Sequence, residues 1–422
     1  MVYSLDEHGD RVVKIVVPPG VTIDHVPGGI TAPRGFRVAA CASGIKKAGG
    51  FDLALIVSDA PASAAGVFTT NKAQAAPVRI SREHLAASGG HASAIIVNSG
   101  CANACTGPEG LAVARSSADF VASAIGCRAD HVLVASTGVI GVQLDVDKIR
   151  KGAAMAARAL SRDAHHQAAL AIMTTDREPK ETAVRVTTPA GAFHIGGIAK
   201  GAGMIEPHMA TMLGFLTTDA LVDPSVLRRA LVDAVEVTFN AISVDGDTST
   251  NDTVFLLASG ASTVVVDDGA YQALVAGLIE VCGMLARAIV RGGEGATKLV
   301  SITASGAATP GDAKRAAQVI ASSLLVKTAI HGGDPNWGRL VAAAGRAGVA
   351  FDIDRVQVRV GPIVLFSDGV PYDDRAPEAA VYLTGSEIDI EVNLGGGGSC
   401  AATVWTCDLS AEYVKINGAY RT

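Results

Sequence analysis

The sequence predicts an α/β protein of the α+β kind, with mixed β-sheets covered by helices on their outer faces. Three observations carry this expectation. Apolar residues make up 49% of the 422 residues, aromatics only 4%, and glycines number 47, so the core must be packed from Ala, Val, Leu and Ile between frequent turns. Strand-like and helix-like patterns interleave along the chain. Several strand-like runs follow one another with no helix between them, which argues against regular βαβ units, a Rossmann fold or a barrel. At this length the chain can fill two domains or two interlocked halves, each with a full core.

Taken in order, residues 1–28 read as an N-terminal extension, in which a strand at 12–17 is punctuated by Pro18-Pro19-Gly20 and Pro27-Gly28-Gly29. From Gly29 the pattern becomes globular. Residues 53–57 and 64–70 read as neighbouring strands joined through Pro61, 81–88 as a short helix, 94–97 as a buried strand and 110–125 as an Ala-rich helix. A strand at 132–135 ends in Ser136-Thr137-Gly138, and a helix follows over 146–160. Strands at 183–187 and 193–198 lead to a glycine-broken bend and the apolar run 212–218. Asp223 as N-cap and Pro224 at the first helical position open the next helix. Strands at 255–258 and 263–266 come before the longest apolar stretch, 271–290, which Glu280 and Arg287 interrupt. Leu274, Leu278, Cys282, Leu285 and Ile289 recur there at helical spacing, so this is a core helix and not a membrane span. The remainder reads as a strand at 300–304, a helix at 311–325, and strands at 356–360, 388–392 and 402–405.

Composition excludes some functions. With 41 acidic and 35 basic residues and no basic block, neither a nucleic-acid nor a membrane partner is expected. Seven cysteines, an odd number scattered over a large chain, fit reduced thiols in a cytoplasmic protein. The N-terminus has no basic region leading into an apolar core, so it does not read as a signal peptide. Cys101 and Cys105 lack a second Cys/His pair, and no metal is expected.

The common catalytic signatures, G-x-x-x-x-G-K-[ST], H-E-x-x-H and G-x-S-x-G, do not occur. In Gly292-Gly293-Glu294-Gly295-Ala296-Thr297-Lys298 the Lys follows Thr and the loop follows a helix, so it is no phosphate loop. His165-His166 read as solvated, and 395–398 as a turn between strands. Ser243 to Asp252 is a dense acidic and hydroxyl run that lacks the twelve-residue calcium loop and its closing Glu. Asp334-Pro335-Asn336-Trp337-Gly338-Arg339 reads as a rigid polar turn or a subunit contact. At Ser136-Thr137-Gly138 a Thr hydroxyl and a Gly N–H could form a two-donor oxyanion site, or simply a turn.

One stretch stands apart. Between Ala199 and Ala220 the chain reads A-K-G-A-G-M-I-E-P-H-M-A-T-M-L-G-F-L-T-T-D-A. Pro207 keeps the approach to Thr211 from being helical. A Thr entering a strand is ordinarily just a β-former. If the Ala210–Thr211 bond were cut, however, its hydroxyl would sit beside a free amine able to act as its base.

This junction resembles that of the ornithine acetyltransferases, or glutamate N-acetyltransferases. So do A-G-V-F-T-T-N-K (65–72), N-S-G-C-A-N-A-C-T-G (98–107), S-T-G-V-I-G (136–141) and M-T-T-D (173–176). I-S-V-D-G-D-T-S-T-N-D-T (242–253), G-G-E-G-A-T-K (292–298), D-P-N-W-G-R (334–339) and N-G-A-Y-R-T (417–422) complete the set, in family order. The resemblance runs from about Gly29 to Thr422. It implies stacked sheets resembling, but distinct in topology from, N-terminal-nucleophile hydrolases, with a smaller C-terminal α/β part. It also implies self-cleavage between Ala210 and Thr211 into an α chain (29–210) and a β chain (211–422), held as a heterotetramer of two α and two β. Thr211 is then the nucleophile, Thr137 and Gly138 the oxyanion donors, and Thr174, Lys200, Thr211, Glu294, Asn417 and Thr422 the substrate contacts, with Thr175 an alternative to Thr174.

The implied reaction is acetyl transfer from N2-acetyl-L-ornithine to L-glutamate through an acetyl-threonine, in arginine biosynthesis. No cofactor is implied, and acetyl-CoA stays open as a co-substrate. A self-cleaving amidohydrolase or aminopeptidase of related architecture, or an acyltransferase for another amino acid, also stays open. His208, where many members have Asn, and the long N-terminal extension depart from the family pattern.

Overall fold

The computed structural model describes residues 2–5, 11–14, 17–206 and 212–419. Two mixed sheets dominate. The larger has the spatial order Thr22–His25, Lys180–Thr188, Gly191–Lys200, Leu213–Thr218, Thr253–Ala258, Leu53–Phe68, His91–Cys101 and Val132–Val139, with Phe36–Cys41 paired to Leu53–Phe68. Leu213–Thr218 runs parallel to Thr253–Ala258, and His91–Cys101 parallel to Val132–Val139; the other pairs are antiparallel.

Leu53–Phe68 is one strand of 16 residues where the sequence suggested two. Its first half pairs with Phe36–Cys41 and its second with Thr253–Ala258, and its register against His91–Cys101 shifts between Val57 and Ala62. Pro61 falls inside that shift, where a missing N–H interrupts no regular ladder. The strand thereby belongs to two layers of the same sheet. Ile56, Ile95, Val97 and Leu133 of one layer share a buried cluster with Ile198, Phe215, Phe255 and Leu257 of the other.

Helices cover the outside of both layers. Leu53, Leu55, Ile96 and Val134 pack against Val121 of helix Gly107–Ile125 and against Ile149 and Ala153 of helix Val146–Arg158. Val184, Ile195, Leu216 and Leu256 pack against Leu231 of helix Pro224–Glu236 and Leu278 and Leu285 of helix Asp268–Arg291. This explains why the run 212–218 carries no charged residue. Leu213 and Phe215 face the inner cluster while Leu216 faces the outer one, so both sides of the strand are buried. Each such side chain contributes about 1.5–3 kcal/mol of apolar burial.

Helix Asp268–Arg291 is long and apolar enough by composition to cross a membrane, yet 72% of its most apolar window is buried inside the protein. It is the core helix that its periodicity predicted.

The smaller sheet runs Ile242–Ser243, Cys400–Cys407, Leu299–Ala307, Glu387–Asn393, Gln357–Val360, Ile363–Ser367 and Val370–Pro371. It has its own core, with Ile302, Ile320, Val358, Ile390 and Val404. Leu299, Trp405 and Cys407 instead join the core of the larger part, so the two share a seam.

Several local expectations need correction. The helix expected at 311–325 is two, Pro310–Ala321 and Leu324–Gly332, broken at Ser322-Ser323, a serine pair that favours helix ends over interiors. At 263–266 there is only an isolated bridge from Val265 to Leu221, because Thr263 adopts φ +62°. The expected turn at 334–339 opens a helix, Trp337–Gly345, whose Arg339 N–H donates to the Asn336 side chain at 3.0 Å. Trp337 stacks on Phe366, with centroids 4.6 Å apart, inside the smaller part. His165 and His166 are not merely solvated; both contact the Glu181 carboxylate, at 2.6 and 2.8 Å. The first 28 residues also contribute a strand that the sequence reading missed, Thr22–His25, at the edge of the larger sheet.

Candidate active site

Strand ends, several loops and the terminal helix surround a cleft of about 340 Å³. Strand Val132–Val139 brings in the first wall. The Ser136 hydroxyl donates to Asn98 Oδ1 at 2.6 Å, and the Asn251 amide donates to the Ser136 carbonyl at 2.8 Å and the Ala102 carbonyl at 2.6 Å. These bonds hold the strand end where Thr137 and Gly138 line the cleft. Gly138 has φ +132°, and a Cβ there would lie 2.4 Å from the Gly100 carbonyl carbon and 2.5 Å from the Cys101 nitrogen. Only glycine fits, which accounts for the S-T-G sequence.

Lys200 ends strand Gly191–Lys200, opposite Leu213, and is 9% exposed. Its Nζ donates to the Thr174 hydroxyl at 2.9 Å and the Thr137 hydroxyl at 3.3 Å. Each hydroxyl accepts from the ammonium and keeps its own proton to donate elsewhere. Thr174 is held in turn by the Asp176 carboxylate, which accepts from its N–H at 3.0 Å, from Gly201 N–H at 2.7 Å and from Lys180 Nζ at 2.7 Å.

The opposite wall is built from loops and the last helix. The Glu294 N–H donates to the Ala202 carbonyl at 2.8 Å. Its carboxylate packs on Gly203, where a Cβ would come within 2.4 Å of Oε2. Asn417, on helix Ala411–Ala419, donates to Glu294 Oε2 at 2.8 Å. The Asp245 carboxylate accepts from the N–H groups of Met204 and Ile205 at 2.6 and 2.7 Å and from the Tyr413 hydroxyl at 3.1 Å. It therefore ties the glycine bend before the junction to the terminal helix.

Thr137, Gly138, Thr174, Lys200, Glu294 and Asn417, which the sequence singled out, all line this one cleft, and so does Thr175. Ala210, Thr211, His208 and Thr422 lie outside the described residues. The chain enters the cleft before the junction at Met204 and after it at Met212.

A model of the ArgJ family matches residues 37–422. The chain belongs to the ArgJ family. It is similar to the arginine biosynthesis bifunctional protein ArgJ of Dehalococcoides mccartyi, at 49% identity over 409 residues, covering 95% of this chain and 99% of the relative. Among solved structures, ArgJ from Bacillus halodurans is 41% identical, covering 50% of this chain and 100% of that one, with a TM-score of 0.48. The ornithine acetyltransferase of Mycobacterium tuberculosis, solved in complex with ornithine, is 40% identical, covering 45% of this chain and 100% of that one, with a TM-score of 0.41. As a member of the ArgJ family, this chain is an enzyme of arginine biosynthesis.

In this member of the ArgJ family the cleft holds charges of both signs side by side. Burial depresses the Lys200 ammonium, against the nearby carboxylate of Asp176, which favours its charge. Burial alone would raise Asp176, but the charges of Lys200 and Lys180 and the bonds from Lys180 and Gly201 pull it down to about 2. Burial lifts Asp245 and raises Asp252 well above the usual carboxylate range, the latter against hydrogen bonds from Met212 and Ser249 and the charge of Lys200. Tyr413 is also raised, by burial and by Asp245. Among the described residues no group of three or more His, Cys, Asp and Glu is arranged to hold a metal ion.

The sequence reading missed Asp245, Asp252 and Tyr413 as members of the site. The acidic run at 243–252 was its only visible sign, and tested as a calcium loop it gave no reason to separate Asp245 and Asp252 from their neighbours.

Proposed function

We propose that this ArgJ family enzyme transfers the acetyl group of N2-acetyl-L-ornithine to L-glutamate through an ester on Thr211, after cleaving itself between Ala210 and Thr211. One observation carries this reading. The hydroxyls of Thr137 at a strand end and Thr174 in a loop, a buried ammonium and a carboxylate line the same cleft as Met204 and Met212, which flank the junction. That set supplies what a double displacement between two amino acids requires.

Thr211 Oγ attacks the acetyl carbonyl and passes its proton to the new α-amine, whose pKa of roughly 8 suits it as a base near neutral pH. Thr137 Oγ–H and Gly138 N–H stabilise the oxyanion, and ornithine leaves with the proton. The amine of glutamate then attacks the acetyl ester and frees Thr211. Glu294, steadied by Asn417, pairs with a substrate ammonium, and Lys200 with a substrate carboxylate or the developing charge. Thr174 and Thr422 complete the substrate contacts. Both half-reactions are acyl transfers made by the chain's own groups, so no cofactor is required. Acetyl-CoA enters only as an alternative acetyl donor. The cut pieces remain together as two α and two β chains.

Intact-mass measurement is expected to find two fragments, the second beginning at Thr211, and gel filtration a mass of two of each. Purified protein is expected to make acetylglutamate from acetylornithine much faster than it releases acetate to water. A parallel arm with acetyl-CoA and glutamate reads the second activity. A fully active, uncut chain would overturn the mechanism.

A further inference from the structure

Asp252 has no part in the mechanism so far, although it lines the same cleft and is 3% exposed. It stands immediately before strand Thr253–Ala258 and, with Thr253, brackets one residue. The Asp252 carboxylate accepts from the Met212 N–H, and the Thr253 N–H donates to the Met212 carbonyl at 3.1 Å. Met212 is bonded directly to the carbonyl carbon of Thr211. The other carboxylate oxygen, Oδ2, is buried and has no hydrogen-bond partner among the described residues. A buried polar atom left unpaired in this way is expensive, and at a reacting centre it marks a group held ready for a proton.

The cleavage has a requirement that the transfer reaction lacks. In the uncut chain the nitrogen of Thr211 is an amide and cannot act as a base, so the self-sufficient amine–hydroxyl pair does not yet exist. Another group must take the hydroxyl proton and deliver it to that nitrogen.

We propose that Asp252 carries this proton in self-cleavage, an assignment that rests on the reading of Thr211 as the cleavage point. The Asp252 carboxylate takes the proton from Thr211 Oγ as the Oγ–carbon bond to the Ala210 carbonyl forms. When the tetrahedral adduct collapses, the bond from that carbon to the Thr211 nitrogen breaks. Asp252 gives the proton to the departing nitrogen, which becomes the amine. Water then hydrolyses the ester, leaving a carboxylate on Ala210 and the Thr211 hydroxyl restored. Asp252 ends as it began. After the cut, the new amine takes over as base.

The surroundings suit this role. Burial favours the neutral acid, and the Lys200 ammonium, which Asp176 and Glu294 support and Lys180 opposes, favours the anion. Asp245, Asp247 and Tyr413 line the same cleft, and Lys46 lies in the field of Lys200. The balance leaves Asp252 well above an ordinary carboxylate, hence a stronger base once ionised.

The test follows cutting of the full chain after cell-free synthesis and a pH jump, read by intact mass, for wild type, Asp252→Asn and Asp252→Glu. Asn keeps an acceptor for the Met212 N–H but cannot carry the proton. It is expected to slow cutting by about 100- to 10,000-fold, the usual range for a general acid–base group, while its thermal midpoint stays near wild type. Glu is expected to restore part of the rate. The wild-type rate should fall on the acid side with a single titrating limb that shifts in the Glu variant. Cutting by Asp252→Asn at the wild-type rate, or a wild-type profile without that limb, overturns the proposal. Should the Asn variant fail to fold, the wild-type limb and its shift in Glu decide. A wild-type chain that transfers acetyl without ever being cut overturns the reading of Thr211 itself, before Asp252 is in question.

Discussion

Asp176 shows how a single buried carboxylate can serve the site and the fold together. It bonds Lys180 Nζ and the N–H groups of Thr174 and Gly201, and so positions the hydroxyl that Lys200 contacts. Its pKa lies near 2, against about 3.9 in an unfolded chain. A depressed carboxylate stabilises the fold above its unfolded value, and that contribution disappears as pH falls from about 4 towards 2. The size is on the order of 2 kcal/mol. Denaturant midpoints at pH 5, 4 and 3 are expected to drop more steeply for wild type than for Asp176→Asn. At pH 7 the variant is expected to lose about 3–5 kcal/mol, because Lys180 is left buried and unpaired. Parallel pH curves for the two proteins would contradict this account. Thr137, proposed above as an oxyanion donor, is a different case, since such a donor acts mainly in the transition state. Thr137→Ala is expected to lower kcat by about 100- to 1,000-fold with little change in KM. Steady-state kinetics in which only KM rises would make Thr137 a ground-state contact.

Among the elements, the terminal helix Ala411–Ala419 is held in an unusual way. None of its residues is buried, and Val414 is 67% exposed, so apolar burial does little to dock it. Its anchors are polar: Tyr413 to Asp245, Asn417 to Glu294, and the adjoining Ser410 hydroxyl to the Gly295 carbonyl at 2.6 Å. Each contributes about 1 kcal/mol. Tyr413→Phe is therefore expected to weaken substrate binding about fivefold and to let more acetyl-enzyme leak to water, with self-cleavage unaffected. Deleting residues 417–422 should go further in the same direction. Following ornithine release and acetylglutamate formation together measures the leak; wild-type rates of both would show that the tail neither binds substrate nor shields the ester. Elements of this kind mark the limits of a sequence reading. Helix Pro224–Glu236 was legible because Asp223 and Pro224 announce it, and Asp268–Arg291 because its apolar face repeats at helical spacing. The strand end at Ser136-Thr137-Gly138 was legible for the same local reason. Leu53–Phe68 looked like two strands because Pro61 interrupts it, and only pairing with distant strands keeps it extended. Asp245 and Asp252 were hidden inside an acidic run, since their partners Met204 and Met212 lie about 40 residues away in the chain.

At the scale of the whole molecule, the two sheets are joined by a shared core. Trp405 belongs to the smaller sheet but buries its ring with residues of the larger part, beneath the Arg287 guanidinium 5.6 Å from its centroid. Trp405→Ala is expected to destabilise the protein by about 3–5 kcal/mol. Calorimetry should find one transition in wild type, because neither core is complete without that seam; two well-separated transitions would show the parts to be independent. The order of the larger sheet has a consequence of its own. Leu213–Thr218 and Thr253–Ala258 lie between Gly191–Lys200 on one side and Leu53–Phe68 on the other. A cut at 210/211 would leave the later piece inserted into the earlier one, with a ladder of hydrogen bonds along each flank. Pulling the pieces apart means opening both ladders and the cluster between the layers at once, which is the melting of the fold. No ordinary dissociation constant then describes their association. Dilution would leave such a nicked molecule intact, and its halves would separate only under conditions that denature it.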